Sequence, residues 1–408
     1  MKRNRRSFLK LAGLGAAGST LLPGCSERNN TGDLRGSAEN NWQSNAHWRE
    51  IKYGAWKGPG VPEGSSKMDD VRLKDYAPTS SLVRKETHIA RAKYPVIDVH
   101  VHHYPARAKN KKVEDALAEW VQTQSEVGIE KSVVLTGATG EDFDKLAELY
   151  LGRHPDHFQL FCGLDTNNLD DADYSARAVS ELERCYKVGA RGVGEMSDKG
   201  FGLTRDKNLP PGKRLHPDDQ RLTPFWEKCA ALNLPVNIHI ADHPSAWEPP
   251  DVFQERTPVF QQFNKHDDKG LSHEDLIQRL LRLLTKHPQT TFIACHLANL
   301  GHDLERLASV LDKFPNLSLD ISARDYEVGR QPRAAARFLT KYYDRVLFGT
   351  DMGMDKTMYE NWWRLLESSD EYIEGRVWWR YYGLELSDSV LNAVSRDNAS
   401  RILNFEKV

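Results

Sequence analysis

The sequence lacks three features that would each place the protein in a familiar class. No run of apolar residues approaches the roughly 18 that a membrane-spanning helix needs, so no segment is predicted to cross a bilayer. The five cysteines are irregularly spaced and form no Cys-x-x-Cys pair, which argues against a zinc knuckle or a disulfide framework. The 56 basic and 58 acidic residues give a formal net charge of −2, without the basic excess typical of nucleic-acid binders. We therefore expect no nucleic-acid partner.

The first 25 residues are typical of an export signal rather than of folded structure. A basic start precedes an apolar, small-residue stretch from Phe8 to Leu22. The segment RRSFLK at 5–10 resembles a twin-arginine signal, and LPGC at 22–25 resembles a lipobox in which Cys25 would be acylated. We predict export by the twin-arginine route to the periplasm or cell surface, with the membrane contacted only through a lipid on Cys25. A buried N-terminal helix is the alternative.

Residues 26–93 are polar and rich in Gly, Ser, Asn and Pro, a composition typical of a flexible spacer. We interpret them as a linker and N-terminal arm, and residues 94–408 as the folded domain. The four cysteines of that domain are interpreted as buried small hydrophobes; they are Cys162, Cys185, Cys229 and Cys295.

From Tyr94 onward, short β-branched runs alternate with longer amphipathic stretches, the pattern of repeated βα units. This pattern favours one (β/α)8 TIM barrel with a polar N-terminal extension. A doubly wound open sheet is the competing architecture, and it would not require polar residues at the strand ends to converge. The eight predicted strands lie at 96–101, 131–135, 159–164, 191–196, 235–240, 291–296, 317–321 and 345–350.

Polar side chains end four of these strands with the parity that points into a barrel. In the first strand, His100 and His102 share one face while the apolar residues share the other, which puts the two imidazoles about 6.6 Å apart along the strand. His239, His296 and Asp351 end the fifth, sixth and eighth strands with the same inward parity. Active sites of such barrels lie at the C-terminal strand ends, so these side chains are expected to meet around a divalent ion.

Taken together, these motifs resemble the second large branch of the amidohydrolase superfamily, from about Pro95 to the C-terminus. The resemblance implies that His100, His102 and His239 bind a metal, that Asp351 is a further ligand or the catalytic base, and that His296 is catalytic. Zinc is the first expectation for such ligands, although manganese, iron and nickel suit the same donors. The motifs are IDVHVH at 97–102, NIH at 237–239, CHL at 295–297, FGTD at 348–351 and DNASRIL at 397–403.

Glu195 ends the fourth strand with inward parity. Other amidohydrolases place a bridging carbamylated lysine or a glutamate at this point, so a bridging Glu195 would imply two metal ions instead of one. The alternative is a carboxylate that orients a metal ligand or caps a helix. Both interpretations stay open.

Three further residues are predicted to contact the substrate. The seventh strand directs Asp320 and Ser322 inward and leaves Arg324 at the rim, where it would clamp a carboxylate or form a surface salt bridge. His243 and Trp247 lie in a long polar segment after the fifth strand, predicted to act as a lid. Ordinary loop packing is the alternative for both.

The leading hypothesis is a hydrolase in which metal-activated water attacks an amide, ester or lactone of a small molecule. Asp351 would accept the proton of that water, and His296 would orient the water or stabilise the oxyanion. The resemblance also implies an alternative with the same residues, a non-oxidative decarboxylase or hydratase. A basic pocket containing Arg324 would favour this lyase, whereas Glu195 on a metal would favour hydrolysis. A non-catalytic scaffold lipoprotein is the third hypothesis. Pairs of aromatic residues late in the sequence could pack against a second subunit, so a homo-oligomer is also considered.

Overall fold

The computed structural model describes residues 71–72, 75, 79–251, 254–256, 264–377 and 379–405. The predicted signal at residues 1–25, with Cys25, and most of the predicted linker lie outside these residues, so export and lipidation stay predictions. Among the helices that the structure does describe, none has the length and apolar character that crossing a membrane requires.

Eight parallel strands form a TIM barrel, which confirms the predicted fold class. They are β1 (Val96–Val101), β2 (Ile129–Leu135), β3 (Phe158–Cys162), β4 (Ala190–Asp198), β5 (Val236–Ile240), β6 (Phe292–Ala294), β7 (Leu317–Asp320) and β8 (Val346–Leu347). Each strand pairs with the next in chain order. Two backbone bonds join the β8 end to β1: Val99 N–H donates to Phe348 O at 3.0 Å, and Asp351 N–H donates to His100 O at 2.9 Å.

The helices lie between and after the strands. They are α1 (Val113–Val127), α2 (Gly140–Tyr150), α3 (Tyr174–Val188), α4 (Thr223–Ala231), α5 (His273–Lys286), α6 (Leu304–Lys313), α7 (Asp325–Arg330), α8 (Pro332–Lys341), α9 (Lys356–Glu367), α10 (Asp388–Asn392) and α11 (Asn398–Ile402). Short 3-10 turns occupy Tyr104–Arg107, Pro211–Lys213, Gln220–Leu222 and Pro244–Trp247, a single turn follows β6 at Cys295–Ala298, and a π-turn spans Ala393–Asp397. A small hairpin pairs β9 (Ile373–Glu374) with β10 (Arg380–Tyr381).

Helix α5 shows why these segments become helical and which face they bury. Ser272 and Asp275 form a reciprocal capping box that satisfies the first backbone N–H groups. Leucine and isoleucine recur along one face of the helix, and Leu276, Ile277 and Leu280 are buried, so that face packs on the barrel.

Strand β1 shows the predicted division between apolar and polar faces. Ile97 and Val99 belong to a buried apolar cluster that also contains Ala399 and Leu403 from the C-terminal helix region. Alternation along the strand then directs Asp98 and His100 to the other face. Two late tryptophans also pack inside the domain: Trp362 and Trp363 are 1% exposed.

Residues 79–93 precede β1 without helix or strand, and two of them bond to the end of α9 and to the chain just after it. The backbone N–H and hydroxyl of Thr87 donate to the Asp370 carboxylate at 2.6 and 2.7 Å. The backbone N–H of Lys93 donates to Glu367 at 3.1 Å. This part of the predicted arm is therefore bonded along the side of the barrel.

Buried His273 predicts that the fold weakens in acid. Its Nε2–H donates to Asn299 O at 3.1 Å, and it is the first residue of α5, where a cation is unfavourable. Burial lowers its pKa from 6.5 to about 4. The stability that neutral His273 contributes is thus fully present above about pH 6.5 and is lost as the pH falls toward 4, on the order of 3 kcal/mol when complete.

We expect His273→Gln, which keeps a donor for Asn299, to flatten the pH dependence of the unfolding free energy measured in urea between pH 7 and 5. His88→Gln replaces an exposed histidine and serves as the matched control. Parallel pH profiles for the wild type and His273→Gln would contradict this assignment.

Candidate metal centre

The side chains predicted at the strand ends lie together at the C-terminal mouth of the barrel. The donor atoms of His100, His102 and Asp351 lie within 4.8 Å of one another. His102 Nε2 is 3.2 Å from Asp351 Oδ1, and His100 Nε2 is 3.9 Å from the same oxygen. A second set with the same spacing contains His100, Glu195 and His296. The open-sheet alternative is excluded, since the residues converge in a barrel as predicted.

The orientation of the imidazoles fits a metal ligand set. His100 Nδ1 donates to Asp320 Oδ2 at 2.9 Å, and His102 Nδ1 donates to Leu135 O at 3.2 Å. Each bond fixes the tautomer that leaves a lone pair on Nε2. The Nε2 atom of His100 is buried without a hydrogen-bond partner among the described residues. A divalent cation bound between this nitrogen and the Asp351 carboxylate would satisfy both groups.

His239 lies beside the His100, His102 and Asp351 set. Its Nδ1 contacts Glu195 Oε1, and its Nε2 is buried, 3.6 Å from Asp242 Oδ1 and without a hydrogen bond within the described chain. Glu195 Oε2 also lies 3.7 Å from His102 Nε2. The structure thus brings Glu195 into the cluster and places it between His239 and the first histidine pair.

His296 lies just beyond β6 instead of within it, contrary to the strand predicted at 291–296, and β8 ends at Leu347, before the predicted 350, so that Asp351 lies four positions beyond its end. β6 ends at Ala294, and the backbone φ angles of His296 and Asp351 are 57° and 52°. This left-handed conformation is costly for residues with a side chain and is concentrated at functional sites. Alternation along a strand could not have predicted this conformation, because the chain leaves the strand and turns sharply at each of these two residues.

The turn directs His296 toward the two carboxylates of the cluster. Its Nδ1–H donates to Ser322 O at 2.7 Å, which leaves a lone pair on Nε2. That atom is 3.8 Å from Asp351 Oδ2 and 3.8 Å from Glu195 Oε1. Burial lowers the pKa of His296 to about 4, so its ring is neutral at physiological pH.

Two buried carboxylates below the cluster hold its candidate ligands, and only their inward parity was predictable from the sequence. Asp320 accepts the backbone N–H of His296 at 2.9 Å as well as the His100 imidazole. Asp98 accepts the backbone N–H and hydroxyl of Thr350 at 3.0 and 2.7 Å, which fixes the residue before Asp351.

Tyr104 is a further residue that the sequence analysis missed. Its hydroxyl donates to Asp351 Oδ1 at 3.3 Å, and the residue is 7% exposed. It lies in the 3-10 turn directly after β1, where only its place two residues beyond His102 could have indicated a contact with the site.

A cavity of about 240 Å³ lies against this cluster and is lined by His239, His296 and Asp351. Four cationic side chains, Lys199, Arg256, Arg324 and Arg376, also line it, against the two carboxylates of Asp242 and Asp351. This lining makes the cavity suited to a small molecule that carries negative charge.

Arg324 is buried in the cavity wall and is 7% exposed, so its ion pair is a buried one and not the surface salt bridge that the sequence analysis left open. Its guanidinium donates to Asn299 Oδ1 and to Ala323 O, the latter at 3.1 Å. Glu327 lies 3.5 Å from Arg324 Nε. The Nε atom makes no hydrogen bond within the described part of the chain.

The two predicted lid residues have different positions. His243 is buried and lines the cavity, with its Nδ1 2.7 Å from Ser245 Oγ. Trp247 is not among the residues lining this cavity. Its indole N–H donates to Leu271 O at 3.1 Å, and its ring packs against His273, which is the ordinary loop packing left open as the alternative.

No curated protein is similar enough in sequence to be matched. Among solved structures, 2,6-dihydroxybenzoate decarboxylase from Rhizobium is 17% identical, with 77% of this chain and 100% of that chain covered and a TM-score of 0.48. A manganese complex of 5-carboxyvanillate decarboxylase from Novosphingobium aromaticivorans is 13% identical, covering 79% and 100%, with a TM-score of 0.47. An amidohydrolase from Burkholderia multivorans is 14% identical, covering 76% and 100%, with a TM-score of 0.45.

The family model described as amidohydrolase matches residues 97–405. This range contains all eight strands of the barrel except the first residue of β1, and every residue of the candidate metal centre. On this match, the protein belongs to the amidohydrolase family.

Proposed function

We propose that this metal-dependent enzyme is a lyase that removes carbon dioxide from a small carboxylic acid bound between Arg324 and Asp351. The observation that carries the proposal is the buried Arg324 guanidinium in the cavity wall. Its hydrogen bonds go to neutral oxygens of Asn299, Ala323 and Tyr326. Glu327 lies 3.5 Å from Nε but makes no hydrogen bond to it, and a buried cation is stabilised best by a hydrogen-bonded anion. A substrate carboxylate supplies that anion.

The donor set supports one divalent cation held by His100, His102 and Asp351, with His239 and Glu195 as further proposed ligands. When bound, the cation would supply positive charge that stabilises anionic oxygens of the substrate. Zinc is the first expectation, because imidazole and carboxylate donors suit it, and manganese, iron and nickel suit the same donors.

The chain's own residues account for proton transfer. Loss of carbon dioxide breaks a carbon–carbon bond and leaves its electron pair on the substrate carbon, which must take up a proton. The Asp351 carboxylate lines the cavity and is the proposed carrier of that proton. Tyr104, which donates to Asp351, would hold the carboxylate in position, and His296 would accept a hydrogen bond from the bound substrate.

Hydrolysis of an amide, ester or lactone is the second candidate, and Glu195 favours it. Glu195 and Asp351 are two carboxylates within 3.8 Å of His296 Nε2. Such a pair allows one carboxylate to bind a cation while the other accepts the proton of an attacking water. The same set of residues could therefore catalyse either reaction, so identifying the substrate distinguishes the two.

Metal binding is tested by substitutions in the cluster. His100→Ala removes a fully buried donor and should abolish stoichiometric metal and activity together. Asp351→Asn keeps an oxygen donor, so we expect it to retain much of the metal while turnover falls on the order of 100-fold or more. Metal content is measured by mass spectrometry after dialysis.

His103→Ala is the matched control, because His103 is adjacent to His102 but bonds to Tyr150 at 2.8 Å. A His100→Ala protein that keeps one equivalent of metal would show that the cluster is not the metal site. Normal turnover of Asp351→Asn would remove Asp351 from the chemistry.

The reaction itself is tested with a panel of aromatic and unsaturated acids, assayed for carbon dioxide, and of uncharged esters and lactones, assayed for hydrolysis. Arg324→Met should raise the KM for acids about 10-fold to 100-fold, since it removes a hydrogen bond to a charged group. Arg333→Met, at an exposed position of α8, is the control.

Two results together would overturn the lyase in favour of the hydrolase. The wild type and Arg324→Met would hydrolyse an uncharged lactone or ester with the same KM, and no acid would release carbon dioxide.

A further inference from the structure

A second and larger cavity adjoins the candidate metal centre. It measures about 480 Å³, against about 240 Å³ for the cavity that contains Arg324. Asp351, Met352 and Arg376 line both cavities, so the two share a wall that includes the proposed proton carrier. A molecule that reacts beside Asp351 is therefore directly adjacent to this second space.

Most of the surface of the second cavity is apolar. Met358, Leu365 and Ile373 line it together with the rings of Trp362 and Tyr381. Leu365 and Ile373 are 1% and 2% exposed, so these side chains are fixed parts of the domain. Methionine adapts its shape to different apolar groups, and two methionines, Met352 and Met358, contribute to the lining.

The charged residues around this apolar surface are already engaged. Asp325 pairs with Arg376 at 2.9 Å and accepts the Tyr381 hydroxyl at 2.9 Å. Asp355 caps α9 by accepting the backbone N–H of Met358 at 3.0 Å. Glu374 pairs with Arg380 at 3.2 Å.

Arg376 is the one cation among the described residues that line this cavity, and its charge is matched by Asp325. Four carboxylates, Asp325, Asp351, Asp355 and Glu374, line the same space. A second negative group on a substrate would therefore be repelled here, while a neutral apolar group would be accepted.

We propose that the second cavity binds the apolar body of the substrate, and that the substrate is a monocarboxylic acid with a neutral aromatic or aliphatic substituent. The carboxylate end lies in the Arg324 cavity, and the substituent extends past Met352 toward Met358. This inference rests on the proposed function for the position of the carboxylate. The first cavity alone is smaller than the roughly 300–1,000 Å³ usual for small-molecule sites, whereas the two together fall within that range.

The test compares binding of benzoate and 4-hexylbenzoate to the full chain loaded with zinc, by calorimetry. The two probes share one carboxylate and differ only in the apolar substituent. We expect 4-hexylbenzoate to bind at least 10-fold more tightly than benzoate, because several methylene groups leave water.

Met358→Trp fills the second cavity and should remove this gain while leaving benzoate affinity unchanged. Met354→Trp is the matched control, since Met354 lies four residues earlier and lines a different cavity beside Trp120. Met358→Ala, which adds no bulk, should lower the gain severalfold and keeps the test valid if the tryptophan variant folds poorly. Far-ultraviolet circular dichroism checks the fold of each variant.

Arg324→Met separates the failure of this inference from that of the proposed function. It should weaken both probes by the same factor and leave their ratio unchanged. Equal affinities of the two probes for the wild type would overturn the second cavity as a substrate site. If Arg324→Met changed neither affinity while the hexyl gain persisted, the carboxylate anchor and the acid substrate class would both be rejected.

Discussion

The candidate metal centre depends on one buried carboxylate, Asp320. It is fully buried and accepts hydrogen bonds from the His100 imidazole, the backbone N–H groups of His296 and Ser322, and the Asn237 amide. A charge in the barrel interior is tolerated only when such bonds replace its water. Because these donors come from β1, β5, β7 and the turn after β6, satisfying Asp320 also sets the relative positions of the strand ends. The orientation of His100 toward a metal is a consequence of that requirement.

Asp98 plays the corresponding part where the barrel closes. β8 is only two residues long, and the chain beyond it is held to β1 by backbone bonds and by the contacts of Asp98 with Thr350 and Tyr359. The short strand and the left-handed conformation of Asp351 together bring its carboxylate over the β1 histidines. A regular continuation of β8 would have directed this side chain elsewhere, so the irregular chain at the closure is what completes the ligand set.

The sequence predicted what depends on local periodicity and little of what depends on chain reversals. The bounds of β1 agree with the predicted 96–101, because alternation along a strand is a local property. The inward placement of His100 and His102 follows from the same alternation. Periodicity did not predict three features, because each depends on where a loop folds back. They are the left-handed turn at His296, the burial of Arg324 and the contact of Tyr104 with Asp351. Trp247 shows the converse, a residue on the predicted lid that packs against the start of α5 instead of lining the cavity.

The candidate metal ligands do not by themselves determine which reaction is catalysed. A cation held by imidazoles and carboxylates stabilises negative charge on oxygen, whether that charge belongs to a carboxylate losing carbon dioxide or to a carbonyl attacked by water. Specificity in a barrel comes from the loops at the C-terminal strand ends. Here those loops provide Arg324 after β7, and Met352 and Met358 after β8. On the proposed function, the buried cation on one side of Asp351 and the apolar second cavity beside it would together select an amphipathic acid over a small uncharged ester.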